Sequence, residues 1–336
     1  MPDPLSLWLL SDGRPGHVHQ AEGLARALSR LRPLRVREVP LALRGGAARL
    51  LMRAWLNGGR LAQVRLEDWC HRWALPEGRP DVIVSAGGRT ACANAALARR
   101  HHVPNLFAGS LRGLSPALFS AVLTLERQAD SPSNLVLDVG PTRVDAEALA
   151  GRGVTGCDAA RPCWALLAGG DGAGYRYRAG DWRALGCALA GLSRLHGVRW
   201  LVVVSRRSGR GARRLALALD EAYRAAWVEP GRPDGPGLLD CLAAAQRILV
   251  TEDSMTMLSE ALSTCKPVYS LRPAHARPTV RYNAVLARWA ANAWLARFDI
   301  AALARDPALL DAVPVSPLPR PPAEDLAERL RRVLGW

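Results

Sequence analysis

Three short apolar runs in this chain each break on a glycine turn and pass straight into a helix-periodic segment, and that repetition constrains the fold most. Residues 5–10 enter Ser11-Asp-Gly-Arg-Pro-Gly-His17, ahead of a helix pattern over 20–31. Residues 81–85 enter Ala86-Gly-Gly88 and a helix over 90–101. Residues 164–168 enter Gly169-Gly-Asp-Gly-Ala-Gly174, with a helix over 182–195. Further strand-type runs lie at 34–39, 104–107, 120–125, 200–204, 226–228 and 247–250, with an amphipathic stretch at 45–73 and a helix near 238–246. Strands alternating with helices are the mark of parallel, doubly wound α/β sheets. Both halves use this grammar, so the sequence predicts two Rossmann-like domains, 1–158 and 159–312, joined around 151–163 and facing an interdomain cleft. A Pro-rich linker and a last helix over 324–334, within 313–336, should pack back on them. A chain of 336 residues with 49% hydrophobic residues has ample material for two cores.

No apolar run approaches the roughly 20 residues that cross a bilayer. Residues 5–10 read as the first core strand, leaving no room for a leader, so a cytoplasmic protein is expected. The seven cysteines (70, 92, 157, 163, 187, 241 and 265) are odd in number and form no Cys-x-x-Cys pair. They are expected to be reduced, mostly buried thiols, with neither a disulfide framework nor a zinc site. Basic residues outnumber acidic ones 45 to 30, a net charge of +15, and Lys266 is the only lysine. Such a surplus implies anionic company. Helix-turn-helix spacing, zinc fingers and aromatic-basic RNA-binding strands are absent from the sequence, which argues against nucleic acid. Phosphorylated small molecules and anionic lipid fit better.

Glycine turns between strand and helix let backbone amides approach a phosphate at the positive end of a helix. They also serve simply to pack a helix on a sheet. No Gly-Lys-Ser/Thr follows any of the three, and the first and third lack dinucleotide-fingerprint spacing. The stretch 247–270 repeats the grammar with polar residues in place of glycine. A short strand runs into Thr251-Glu252-Asp253-Ser254, which carries N-cap chemistry, and the helix that follows must stop before Pro267. On that helix Met255, Leu258, Ala261 and Leu262 share one face, leaving Thr256 and Glu260 on another. Glu260 is either solvated or placed to accept hydrogen bonds from ribose hydroxyls at the C-terminal edge of a parallel strand.

The order of these parts resembles the two-domain glycosyltransferases of the GT-B fold, especially the enzyme that adds UDP-N-acetylglucosamine to a lipid-linked peptidoglycan precursor. Asp12-Gly13-Arg14-Pro15-Gly16-His17 stands where that family has its first glycine loop, and Gly87-Gly88 matches a glycine pair. Gly169-Gly170-Asp171 matches the loop that opens its second domain, and Ser259-Glu260 with Lys266-Pro267 matches its donor-site helix. The resemblance implies a GT-B-like α/β fold and assigns the ribose to Glu260. A second resemblance covers nearly the whole chain. Ser11-Asp-Gly-x-Pro-Gly-His17 with Gln20, Val84-Ser-Ala-Gly-Gly-Arg89, Val250-Thr-Glu-Asp-Ser-Met255 and Ser259 to Val268 identify it as a member of the family of the plant mitochondrial fission factor. The plant member implies an alternative role, a non-enzymatic adaptor that binds a protein or a membrane.

On the transferase reading, displacing a nucleoside diphosphate from an anomeric carbon needs a base for the acceptor hydroxyl and positive charge for the leaving diphosphate. His17 is the candidate base, with Asp12 the alternative; helix capping is the plain role for His17. The donor side would comprise the amides of Gly169, Gly170 and Gly172, with Asp171, Arg206, Arg207, Asp253, Ser254, Met255, Glu260 and Asn283. Gly13, Gly16, Gly87 and Gly88 would line the acceptor side. Asp171 has turn-shaping as its plain role, and Asp253 and Ser254 have helix capping. No metal and no cofactor beyond a nucleotide-sugar co-substrate, UDP-linked, is implied; a nucleotide-sugar 2-epimerase is a near variant. In 45–73, Arg49, Arg53 and Arg60 form a stripe beside Met52 and Leu56, with Trp55, Trp69 and Trp73 as interfacial rings. That segment is either a domain helix or a peripheral contact with the inner membrane, which would suit a lipid-linked acceptor.

Overall fold

Two parallel sheets wound in the same order organise the chain, and each belongs to its own unit. The computed structural model describes residues 3–58, 65–158, 160–232 and 235–336. The first unit is Met1–Arg143 with Pro322–Trp336, and the second is Val144–Pro321.

The first unit runs β1 (Leu5–Ser11), α1 (Pro15–Ser29), β2 (Leu34–Leu43), α2 (Gly46–Gly58), α3 (Leu66–Cys70), β3 (His71–Trp73), β4 (Val82–Ala86), α4 (Ala91–His101), β5 (Asn105–Ala108), β6 (Ala121–Thr124) and β7 (Asn134–Val136). Its sheet order is β3-β2-β1-β4-β5-β6-β7, parallel except for β3, which pairs antiparallel with β2. Parallel strands covered on both faces must be apolar on both. Leu7 and Leu9 accordingly pack beneath Leu24 and Leu28 of α1, while Trp8 and Leu10 meet Ala93 and Leu97 of α4. The helix α1 starts at Pro15, five residues ahead of the predicted pattern. Proline at the first helical position is pre-set in φ and lacks only an N–H that would go unpaired. His17 is therefore a first-turn residue and not a loop residue.

The second unit runs α5 (Ala146–Leu149), β8 (Cys163–Ala168), β9 (Tyr175–Arg176), α6 (Ala179–His196), β10 (Arg199–Val204), α7 (Arg210–Ala218), β11 (Arg224–Val228), α8 (Leu238–Ala244), β12 (Ile248–Thr251), α9 (Met255–Leu262), β13 (Val268–Arg272), β14 (His275–Ala276), α10 (Val280–Ala291), β15 (Leu295–Asp299), α11 (Ile300–Arg305) and α12 (Leu309–Ala312). Its parallel sheet has the order β11-β10-β8-β12-β13-β15, and β9 and β14 form a separate antiparallel ribbon. The chain then returns to the first unit as α13 (Pro322–Leu334), whose Leu326, Ala327 and Leu330 join the core under α1.

In each sheet the strand order reverses at the first strand, between β1 and β4 and between β8 and β12. Crevices beyond the carboxyl ends of strands at such reversals are where open α/β sheets bind ligands.

Some expectations change. Cys157 and Cys163 are joined by a disulfide, with Cα atoms 5.6 Å apart, so these two are not free thiols. The spacing offers no Cys-x-x-Cys signal; the turn that starts β8 brings them together. The stretch 45–73 is no single helix. Met52, Trp55 and Leu56 are buried and Trp73 stacks on His71, so of its three tryptophans Trp69 alone is exposed. Arg60 lies outside the described residues. Among those residues no helix is long and apolar enough to cross a membrane.

Candidate active site

At the reversal of the first sheet, the Ser11-Asp12 end of β1 and the Gly87-Gly88 turn after β4 lie side by side, because Leu10 pairs with Ser85 in parallel register. The first turn of α1 brings His17 between them. Its Nδ1 stands 3.0 Å from both carboxylate oxygens of Asp12. The Asp12 side chain is 3% exposed and that of His17 29%. An ionised carboxylate only accepts hydrogen bonds, so Nδ1 carries the proton and Nε2 is left as the basic nitrogen. The two residues that the sequence offers as alternative bases are one pair, the carboxylate orienting the imidazole. Gly87 makes this possible. It holds φ at +84°, and a Cβ there would stand 2.2 Å from Nδ1, in collision with the ring. Gly13 turns the loop at φ +70° and donates to Ser11 Oγ at 3.2 Å, and Gly16 lies within the first turn of α1. Arg112 occupies the corresponding space over Gly88, its Nε 2.5 Å from where a Cβ would be. Sequence reading missed Arg112, which no motif marks.

The reversal of the second sheet gathers Gly169, Gly170, Asp171, Arg207, Asp253 and Ser254. The Asp253 carboxylate fills the space where a Gly169 Cβ would be, 2.2 Å from it, and Gly170 packs on the Arg207 carbonyl. These glycines are required by close approach of neighbouring loops. Arg207 Nη2 donates to Asp253 Oδ2 at 2.5 Å, from a half-exposed side chain to a fully buried one. Burial holds the Asp253 carboxyl above the usual carboxylate range, against the pull of Arg207. Its Oδ1 has no hydrogen-bond partner.

The amides assigned to a diphosphate are largely committed within the protein. Gly169 N–H donates to Thr251 Oγ1 at 2.7 Å and Gly172 N–H to the Tyr175 carbonyl at 3.1 Å. The loop folds onto its own strand ends, so these two amides are spent within the protein. Asp171 shapes the turn by accepting from Tyr177 N–H at 2.9 Å, and Ser254 caps α9 by accepting from Met257 N–H at 3.4 Å. Met255 opens α9 and is half-buried. Arg206 is exposed beside Arg207.

Glu260 lies on α9 and Asn283 on α10. Glu260 lies in the second turn of α9 and is buried, 2% exposed. Asn283 is exposed on α10, where its Oδ1 accepts from Arg297 Nη1 at 3.1 Å. Arg297 leads to a residue that sequence reading assigned only to capping. Glu252, fully buried, takes both forks of Arg297 at 2.8 and 3.0 Å, the Tyr175 hydroxyl at 3.0 Å and the Ser270 hydroxyl at 2.9 Å. The Tyr282 hydroxyl donates to its carbonyl at 2.6 Å. Every carboxylate lone pair is used, so Glu252 anchors the floor beneath the loop and has nothing left for a ligand.

Comparison with solved structures gives the fold. The glycotransferase of kitacinnamycin is 16% identical, with a TM-score of 0.53 over 99% of this chain and 95% of its own. The Staphylococcus aureus MnaA–UDP structure is 15% identical, with a TM-score of 0.54 over 97% and 94%. The Methanocaldococcus jannaschii UDP-GlcNAc 2-epimerase, solved with UDP-GlcNAc and UDP, is 14% identical, with a TM-score of 0.51 over 99% of both chains. The fold is GT-B-like, as the order of glycine loops implied. No curated protein matches the chain in sequence. The model of the family described as mitochondrial fission ELM1 matches residues 15–334, and the chain belongs to that family.

Proposed function

We propose that the protein is a GT-B-type glycosyltransferase that moves a sugar from a UDP-linked donor to an envelope or lipid-linked acceptor. The observation that carries this reading is the Asp12–His17 pair at the reversal of the first sheet. His17 Nε2 takes the proton of the acceptor hydroxyl, and Asp12 stabilises the imidazolium that results. The freed oxygen bonds to the anomeric carbon as the bond to the diphosphate breaks, and the diphosphate departs with the electron pair. Arg207, steadied by Asp253, meets that charge with a guanidinium fork suited to phosphate oxygens, and Arg206 adds to it. This charge needs no metal partner. The resemblance of Ser259-Glu260 and Lys266-Pro267 to the donor-site helix of the peptidoglycan-type transferase would give the donor ribose to Glu260, and the overall excess of arginine agrees with anionic substrates.

Thermal shift of the purified protein with UDP, GDP, CMP and their sugars tests the donor. A selective rise with one nucleotide, lost in Arg207→Ala and Glu260→Ala, supports the reading. No response to any nucleotide sinks it and leaves the adaptor role ahead. Conversion of the donor sugar to its C2 epimer without acceptor would mark a nucleotide-sugar 2-epimerase instead.

A further inference from the structure

Between α2 and the loop after β5, the first unit has a cavity of about 190 Å³ lined by Arg49, Leu50, Arg53 and Arg112. All three arginines are exposed, and among the described residues no carboxylate pairs with them. Arg53 instead donates to the Arg112 carbonyl at 3.4 Å. The loop is fastened to the helix a turn further on, where Asn57 Nδ2 donates to the Gly113 carbonyl at 2.8 Å and Ser115 N–H to Asn57 Oδ1 at 3.0 Å. Arg112 itself holds φ at +48°, a conformation that non-glycine residues seldom adopt, and Gly113 follows at +87°. Three like charges thus surround one hollow, with no paired carboxylate among the described residues.

The cavity adjoins the base. The Arg112 guanidinium covers Gly88 and the His17 imidazole covers Gly87, and successive Cα atoms lie about 3.8 Å apart. The side of α2 away from the core also carries apolar surface, with Leu50 55% and Leu51 46% exposed. We infer that this cavity is the subsite for the anionic head of an amphiphilic acceptor, a phosphate or diphosphate ester on an apolar chain. Arg49, Arg53 and Arg112 hold the phosphoryl oxygens, and Leu50 and Leu51 meet the first carbons of the chain. The word acceptor rests on the transferase reading; the binding itself does not.

The test titrates farnesyl diphosphate, farnesol and inorganic pyrophosphate into the full-length protein by calorimetry, alongside Arg112→Ala, Arg112→Lys and the double variant Arg49→Ala/Arg53→Ala. Farnesyl diphosphate should bind the parent protein more tightly than either fragment. Its affinity should fall about tenfold or more in each alanine variant, the worth of a charge-assisted hydrogen bond, and recover in part in Arg112→Lys. Unchanged affinity in the variants overturns the subsite. So does farnesol or pyrophosphate binding as tightly as the ester, which would mean a plain apolar or anion site. Loss of binding to phosphatidylglycerol-containing vesicles with farnesyl diphosphate affinity intact would make this a membrane contact and also overturn it. Circular dichroism and the melting temperature of each variant without ligand serve as the folding control, and UDP-induced thermal shift, measured on the same proteins, separates the two readings. A UDP response with no arginine effect sinks the subsite alone. Arginine-dependent farnesyl diphosphate binding with no UDP response sinks the transferase and keeps the subsite.

Discussion

The two sheet reversals share a strand order and differ in chemistry. In the first unit the crevice holds a carboxylate joined to a partly exposed imidazole. In the second it holds a buried carboxylate joined to a half-exposed guanidinium. What lies behind them differs too. The first is backed by a neutral network, in which buried Asn94 donates to Ser85 Oγ at 2.9 Å and to the Leu106 carbonyl at 3.0 Å, and accepts from Asn105 at 2.7 Å. The second is backed by the Glu252–Arg297 ion pair. Strand order supplies the crevice in each case, and the side chains delivered to it differ: an imidazole–carboxylate pair at one and a guanidinium–carboxylate pair at the other.

The largest effect should come from removing the imidazole. In His17→Ala, sugar transfer should fall about 10²–10⁴-fold, the usual worth of a general base, while the UDP-induced thermal shift stays as in the parent protein. Retained transfer in that variant would erase the distinction between the two crevices. Next in size is the contrast between their supports, measured by urea denaturation. Arg297→Met strands a buried charge and should cost about 3–5 kcal/mol, whereas Asn94→Ala leaves only neutral groups unpaired and should cost about 1–3 kcal/mol. Equal losses would show that the charged floor is no different from the neutral one.

The smallest effect concerns Asp253, whose folded carboxyl keeps its proton to a higher pH than the unfolded one. Its contribution to stability is therefore fullest below the ordinary carboxylate range and declines as pH rises through the raised value. Melting temperatures from pH 4 to pH 7 should show Asp253→Asn gaining on the parent protein as pH rises. A constant difference across that range would mean that Arg207 fully offsets the burial.

Much of the fold was legible because its signals are local. Apolar runs such as 5–10 and 164–168 mark strands buried on both faces, and Gly87-Gly88 marks where a strand must turn. The boundary of α1 was misjudged because the apolar period begins at Gln20, while Pro15 starts the helix by its fixed φ. Within the site, Asp12 and His17 were both found, being close in sequence, but their pairing was not, since it depends on the space that Gly87 leaves. Glu252 was passed over as part of a cap because its partner Arg297 lies 45 residues on. Lys266 illustrates a motif match with a physical cause of another kind. Its ammonium donates to the carbonyls of Leu242, Ala243 and Ala245 at 2.8, 2.7 and 2.6 Å, closing the end of α8. A planar guanidinium suits that three-way cradle less well than a point-like ammonium.

Sequence by itself determined that strands and helices alternate in two sets, and which of the strand ends it located carry glycine or cap chemistry. Those follow from periodicity and backbone conformation, which neighbours in the chain decide. Tertiary structure alone decided that His17 shares its proton with Asp12 over Gly87, that the Gly169 and Gly172 amides are spent internally, and that Arg112 joins two arginines of α2 around one cavity. Such meetings arise because burying both faces of a sheet sets which strands lie adjacent, and adjacency brings together groups that no spacing in the sequence records.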